Sequence, residues 1–410
     1  MHEIITCLFD GLAGIGRGAQ GYTRPSYSHE EQAAHDLLRG AAKDLGLETT
    51  TDAAGNTYLT LPGRDRAAPR TLIGSHLDTV PEGGNYDGAA GVIAGLAIAA
   101  DLKARGVAPA ADLTVMAVRA EEAVWFPTSY IGSRAALGRL RPEELEVRRS
   151  DSGRTLAEHM AAAGFDPNAL CGGARHLDPA AIAAYIEIHI EQGPVLQAAN
   201  LPVGIVTAIR GGLRHHTAGI DGEWAHSGAA PREGRRDAVL AFADLAGALE
   251  QAWDRVEADG GDMVLTIGKA YTDPAQQAFS KVPGRVDFSL DIRSTDDAVL
   301  DRLETELPKL TDRIEAARGV GIDWGPRARS APAVMDPALV DRLDAAAGRL
   351  DLARIRMPSG AGHDAAAFAK AGVPAAMVFV RNDHGSHNPD EAMEVNDLVS
   401  AARVVSEALF

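Results

Sequence analysis

Three histidines and two adjacent glutamates of this chain end or follow apolar runs. His76 closes Thr71-Leu72-Ile73-Gly74-Ser75, and Glu121-Glu122 follow Leu113–Val118 across Arg119-Ala120. His189 lies within Ile182–Glu191, and His387 follows Ala375–Val380 by a short loop. If these runs are strands of an open α/β sheet, their carboxyl ends deliver the side chains to the edge where such sheets bind ligands. Asp87 stands in a Gly-rich turn, Gly83 to Gly88, whose glycines let the backbone bend and expose the carboxylate. Three His and two or more carboxylates form a donor set for Zn²⁺, Mn²⁺ or Co²⁺. Five convergent ligands, one of them a bridging carboxylate, suit two ions about 3.5–4 Å apart. On an extended chain Glu121 and Glu122 point in opposite directions, so one can bind metal while the other faces bound water as general base. Asp78, two residues from His76, is placed to orient a metal-bound imidazole. On residue type alone, His363 and His384 compete with His387 as ligand.

Those residues need strands and helices in alternation to hold them. Ser28 to Leu47 reads as a helix, with Ser28 and Glu31 as a capping box. A hairpin-like stretch follows through Thr57–Leu61, then a short buried-type strand into His76, a helix from Gly88 to Arg105, and a strand from Asp112 to Val118. Ile182 to Glu191 alternates, with Ile182, Ala184, Ile186, Ile188 and Ile190 opposite Tyr185, Glu187, His189 and Glu191. From Gly211 the order becomes strand, helix, strand, strand, helix, strand: His215–Asp221, Arg235–Arg255, Met263–Tyr271, Arg285–Arg293, Asp296–Arg318, Gly319–Trp324. That is the ferredoxin-like pattern. After Pro326 the strand–helix alternation resumes. The expected fold class is α/β, a mostly parallel catalytic sheet with an inserted ferredoxin-like α+β domain. The catalytic domain spans 1–210 and 326–410, and the insert 211–325.

Composition fits a globular enzyme: 410 residues, 46% hydrophobic and 24% charged. A net charge of −17 argues against nucleic acid and anionic membranes as partners. No apolar stretch approaches the roughly 18 residues of a membrane span. The N-terminal segment has no basic region ahead of its short apolar run and does not read as a signal peptide. Cys7 and Cys171 are too few for a disulfide framework and read as free thiols of a cytoplasmic protein. No phosphate-cradling Gly motif occurs at a strand–helix turn.

Eight segments, in order along nearly the whole chain, resemble the N-carbamoyl-L-amino-acid hydrolases. They are GSHLDTV (74–80), GGNYDGAAGV (83–92), RAEE (119–122), EIHIEQGPVL (187–196), GEWAHSGAAP (222–231), DIRS (291–294), SGAGHDA (359–365) and SHNPDE (386–391). This group, with allantoate amidohydrolases and β-ureidopropionases, is the hydantoinase/carbamoylase branch of the aminoacylase/carboxypeptidase-type dinuclear metallopeptidases. The resemblance implies two divalent ions per subunit. His76, Asp87 and His189 would bind the first, Asp87 would bridge, and Glu122 with His387 would complete the second. It further implies Glu121 as general base acting on a metal-bound hydroxide, Asp78 as support for His76, and Gln192 in the substrate pocket. His226 would stabilise the oxyanion, and Arg293 with the Gly360-Ala361-Gly362 loop would hold the substrate carboxylate. The implied substrate is a small ureido or acyl amino acid held between the domains, with the insert closing and forming a homodimer. A non-prolyl cis peptide is implied at Asp87–Gly88. Two departures bear on specificity. Ser280 stands where relatives commonly carry Asn, and Trp125-Phe126 place bulky rings beside the Glu pair, which would reshape the pocket. The rival readings are an N-acyl-amino-acid deacylase or dipeptidase, and a catalytically silent binding protein.

Overall fold

Four parallel strands form the centre of the larger of two compact units. The structure is a computed structural model that describes residues 1–173 and 175–410. One unit comprises residues 1–207 and 334–410, the other 208–333. In the first, the sheet runs Glu48–Thr51, Thr57–Leu61, Leu113–Val118, Arg70–His76, Ile182–Ile190, Ala375–Val380, Val203–Ile209. The middle four are parallel, and the strands flanking them on each side are antiparallel. Leu113–Val118 and Ala375–Val380 are buried along their whole length, as expected of strands covered by helices on both faces. Ile182–Ile190 departs from simple alternation: its ionisable set is buried as deeply as its isoleucines.

Helix Ala89–Ala104 has no polar stripe over Ala89–Ala99 because that whole stretch is buried; only its last turn reaches solvent. It packs on three of the parallel strands and under helices His2–Leu12 and Val395–Leu409. Gly91 permits the closest approach, since a Cβ there would stand 2.1 Å from the Ile188 carbonyl oxygen. The chain leaves Arg70–His76 toward Leu113–Val118 on one side, while Ile182–Ile190 lies on the other. Such a reversal of strand order opens a crevice at the carboxyl ends of the two strands. His76 and His189 stand there.

In the second unit the sheet order is Gly321–Asp323, Gly211–Asp221, Arg285–Ser294, Val264–Tyr271, all antiparallel. This is the strand order of the ferredoxin-like pattern. Helices Ala238–Ala258 and Asp297–Arg318 cover one face through Leu245, Leu249, Leu300 and Leu303, against Phe288 and Ile292. The unit runs past the expected boundary at 325 because Arg327–Ser330 pairs with Arg214-side residues of Gly211–Asp221, Arg327 opposite His215 and Ser330 opposite Gly212.

Candidate metal centre

The two strand-end imidazoles are turned the same way by backbone carbonyls. His76 Nδ1 lies 3.0 Å from the Asp78 carbonyl oxygen, and His189 Nδ1 lies 2.9 Å from that of Ile190. In the tautomer with its proton on Nδ1 each ring would offer its Nε2 lone pair to a cation, and the Gly88 N–H points at His189 Nε2 from 3.3 Å. Both Nε2 atoms face the same oxygen: Asp87 Oδ1 is 3.6 Å from His76 and 3.1 Å from His189. Asp87 Oδ2 faces the other way, 3.3 Å from His387 Nε2, which is 3.5 Å from Glu122 Oε1. Two donor clusters thus share one carboxylate, His76–Asp87–His189 and Asp87–Glu122–His387. Glu121 stands beside them, Oε2 4.0 Å from His76 Nε2.

A divalent ion fits this donor set on an observation within it. Asp87 Oδ1 is buried with no hydrogen-bond partner and faces the Nε2 atoms of two imidazoles. Buried polar atoms of native proteins nearly always have partners, and a cation would be the partner of all three. Charge argues the same way. Burial, reinforced by Asp87, raises the Glu122 carboxyl to about 7, and burial holds Glu121 well above the usual carboxylate range. A site with surplus buried carboxylates is one a divalent cation balances.

Asp78 positions the glutamates more directly than it positions His76. Its carboxylate accepts Ser26 Oγ–H at 2.6 Å and the backbone N–H groups of Glu121 and Glu122 at 3.1 and 3.2 Å. His76 meets its carbonyl oxygen at 3.0 Å, while its carboxylate is 3.5 Å away. The Glu pair does not lie on an extended chain. Ala120 takes φ 53° and turns it, and Glu31 holds that turn by accepting the Ala120 N–H and pairing with buried Arg119 at 2.9 Å. Glu31 therefore does not complete a capping box: Ser28 caps the helix alone, and Glu31 reaches back to the Tyr27 N–H. The Asp87–Gly88 peptide is trans, against the expectation of cis. The bend is taken instead by Gly88 at φ 66°, where a Cβ would stand 2.5 Å from the His76 ring.

Several residues outside the two Asp87 clusters position Asp87 and the turns around it. Glu391 accepts the N–H groups of Tyr86 and Asp87 at 2.9 and 3.1 Å, and Ser386 Oγ lies 2.6 Å from both Glu391 Oε2 and Asp87 Oδ2. Gln192 Nε2 donates to Asp87 Oδ2 at 2.9 Å, its own N–H held by Asn382. Arg24, fully buried, donates to the Leu77 carbonyl and to Asn85, bracing the turn that carries Asp87. Glu187 accepts from Ser75 and the Ala365 N–H, and Asp364 from Ser133. Both are in strand or turn segments already noted, but their partners lie over 100 residues away.

The competing histidines separate. His363 is buried, with Nε2 2.9 Å from Ser359 Oγ and its ring edge-on to His189; burial keeps it well below the usual histidine range, hence neutral. It belongs to a third cluster with Glu187 and His189 but not to either Asp87 cluster. His384 joins none of the clusters found among the described residues. In the Gly360–Gly362 turn the Ala361 N–H donates to Ser359 Oγ at 3.1 Å, and the Tyr130 hydroxyl packs where a Gly362 Cβ would be. Trp125 and Phe126 are packed inside the protein. They are 5% and 0% exposed in a secondary core with Tyr27 and Leu156, and the Trp125 indole N–H donates to the Thr79 carbonyl. His226, Ser280 and Arg293 belong to the second unit. His226 is exposed on Ala225–His226, paired with Lys281–Val282, and Ser280 accepts the Ser227 N–H. Arg293 donates from Nε and Nη2 to Asp291 Oδ2.

The family model described as peptidase family M20/M25/M40 matches residues 72–410, a stretch that contains both Asp87 clusters and Glu121. The chain belongs to this family. It is 36% identical over 396 residues to the N-carbamoyl-L-amino acid amidohydrolase of Geobacillus stearothermophilus, covering 96% of this chain and 94% of that protein. The allantoate amidohydrolase of Escherichia coli K12 is 35% identical over 399 residues, 96% and 93% of the two chains. Among solved structures, a hydantoinase/carbamoylase family amidase of Burkholderia multivorans superposes with a TM-score of 0.87 at 30% identity, covering 100% of this chain and 97% of that one. This M20 chain is a hydrolase of the amidohydrolase kind, as its full-length relatives are named. Among its described residues no helix is long and apolar enough to cross a membrane.

Proposed function

We propose that this enzyme hydrolyses the carbamoyl amide of N-carbamoyl-L-amino acids or related ureido acids with two divalent ions, Zn²⁺, Mn²⁺ or Co²⁺, per chain. The observation that carries the reading is Asp87, whose two carboxylate oxygens each face a different set of ligand atoms. His76, His189 and Asp87 Oδ1 would hold one ion; His387, Glu122 and Asp87 Oδ2 the other. When bound, the ions supply Lewis acidity toward water and the scissile carbonyl. Glu121 is the base. Burial keeps its carboxyl ready to hold a proton at Oε2, taken from water and returned to the leaving nitrogen. Breaking the bond between the carbamoyl carbon and the amino-acid nitrogen frees the amine, and the carbamate decomposes to ammonia and CO₂. Gln192 borders the substrate. By the family resemblance, Arg293 and the Gly360–Gly362 loop would hold its carboxylate, and His226 would stabilise the oxyanion.

We further read the inserted unit as lid and dimerisation element. Its edge strand Val264–Tyr271 leaves Tyr271 54% exposed, with Val239 and Leu240 exposed at the start of its first helix. An open edge strand and exposed apolar residues on the same unit suit pairing with a second copy. Two exposed thiols, Cys7 and Cys171, suit the reducing cytoplasm.

The reading is tested by supplying metal-reconstituted enzyme with N-carbamoyl, N-acetyl and dipeptide forms of one amino acid. Stoichiometric ammonia and free amino acid from the carbamoyl form are expected. Turnover of the acetyl or dipeptide form alone would make the enzyme a deacylase or dipeptidase.

A further inference from the structure

Glu187 and His189 stand two residues apart on strand Ile182–Ile190 and share one of its faces. Phe379 lies opposite His189 on the neighbouring strand Ala375–Val380. Onto that face docks the segment 359–365. The Ala365 N–H donates to Glu187 Oε2 at 2.7 Å, and Glu187 Oε1 accepts from Ser75, the residue before His76, at 2.7 Å. The His363 ring stands edge-on to His189 and to Phe379, at centroid distances of 4.4 and 5.7 Å. Asp364 accepts the Ser133 hydroxyl at 2.6 Å, and the helix carrying Ser133 gives the N–H groups of Ile131 and Gly132 to the carbonyls of Ala120 and Arg119. Ser359, His363, Asp364 and Glu187 are buried, while Gly360 and Gly362 are exposed. Two glycines give this turn wide backbone freedom, so its placement has to come from the buried side chains around it. Ser359 closes the turn. Its hydroxyl accepts the Ala361 N–H at 3.1 Å and has one proton for two neighbours, the Ala361 carbonyl oxygen and His363 Nε2, each 2.9 Å away. The neutral imidazole serves in either case, as acceptor of that proton or as donor when the hydroxyl turns to the carbonyl.

We propose that His363 is a positioning residue: lodged against His189 and bonded to Ser359, it fixes the Gly360–Gly362 turn relative to the first metal cluster, and so sets where a substrate carboxylate sits from the scissile bond. This rests on the proposed role of that turn in holding the carboxylate. His363 touches both parties at once. Its ring edge packs on a metal ligand, and its Nε2 bonds the residue that folds the turn. Without that bond the turn keeps its anchors at Asp364 and Ala365 but loses the tie at Ser359, and the backbone N–H groups between them spread over several positions. A carboxylate then pays the ordering entropy on binding that the bond otherwise removes in advance.

The test uses the metal-reconstituted full chain with N-carbamoyl-L-alanine. His363→Phe keeps a ring beside His189 and Phe379 but cannot bond Ser359, and Ser359→Ala removes the same bond from the other side. Each is expected to raise KM about three- to tenfold, the scale of one hydrogen bond, with kcat little changed and metal content at the wild-type level. The double variant should be no worse than either single one, because both delete one interaction. His363→Gln, whose amide both donates and accepts, should recover most of the loss. Hydrogen exchange read by mass spectrometry should quicken over residues 359–365 in both single variants and stay unchanged over helix Val395–Leu409. Wild-type KM in both single variants would overturn the proposal, and so would additive losses in the double variant or a fall in kcat with KM unmoved. If the wild type turns over no carbamoyl substrate, the proposed activity fails, and exchange still decides the role of His363. Faster exchange over 359–365 in His363→Phe upholds it, and exchange at the wild-type rate refutes it.

Discussion

Asp78 and Glu121 both stand beside His76 in space and divide two tasks. Asp78 accepts two consecutive backbone N–H groups and so fixes where both glutamates point. Asn in its place keeps one acceptor oxygen and offers an amine to the other N–H, which leaves a buried donor unpaired. Asp78→Asn should cost about 10–100-fold in metal affinity or activity, the range for residues that orient ligands. Glu121→Gln should behave differently. It removes the proton acceptor but keeps a side chain of the same size beside His76 and Glu122, so kcat should fall about 10²–10⁴-fold while metal content measured by mass spectrometry stays at the wild-type level. Equal metal loss in both variants would place Glu121 among the ligands.

At the scale of elements, the site depends on turns tied to distant helices. The buried Glu31–Arg119 pair joins helix His29–Asp44 to the turn after Leu113–Val118, with side chains 0% and 1% exposed. Glu31→Ala leaves the Arg119 charge buried and unpaired. Unfolding in urea should show a loss of about 3–5 kcal/mol, together with reduced activity because the Ala120 turn is released. A second clamp is Glu144, which accepts from Arg134, Thr128 and the Arg141 N–H and braces helix Ile131–Ala136. Burial opposes ionisation there, but these donors outweigh it and lower the carboxyl from 4.5 to about 2. Its folded pKa lies below its unfolded one, so its stabilisation is complete above pH 4.5 and is lost as pH falls toward 2. Glu144→Gln should therefore be less stable than wild type at pH 6, with the gap in urea midpoint narrowing as pH drops below 4.5. A gap constant from pH 6 to 3 would show that the charge contributes nothing.

At the scale of the whole molecule, the convergence of His76, Asp87, Glu122, His189 and His387 was legible because most of these residues fall at or after the ends of apolar runs and parallel sheets gather such ends. The mostly parallel α/β character of the central sheet follows from the same patterning. What stayed hidden was set by long-range partners. Glu391 reaches Asp87 across 304 positions, and no periodicity marks such a pair. Trp125 and Phe126 read as pocket residues beside the Glu pair, but the turn at Ala120 folds them into a secondary core. The trans Asp87–Gly88 peptide was equally unreadable, since a glycine at φ 66° supplies the bend another way.

The account as a whole stands on Asp87 serving two ions at once. Counting divalent ions per chain by native mass spectrometry, on wild type and Asp87→Ala reconstituted with Zn²⁺ or Mn²⁺, addresses that most directly. The account predicts two ions in the wild type and loss of both tight sites in the variant, because each cluster loses a shared ligand. A wild type that saturates at one ion, or an Asp87→Ala chain that still binds two, would contradict it.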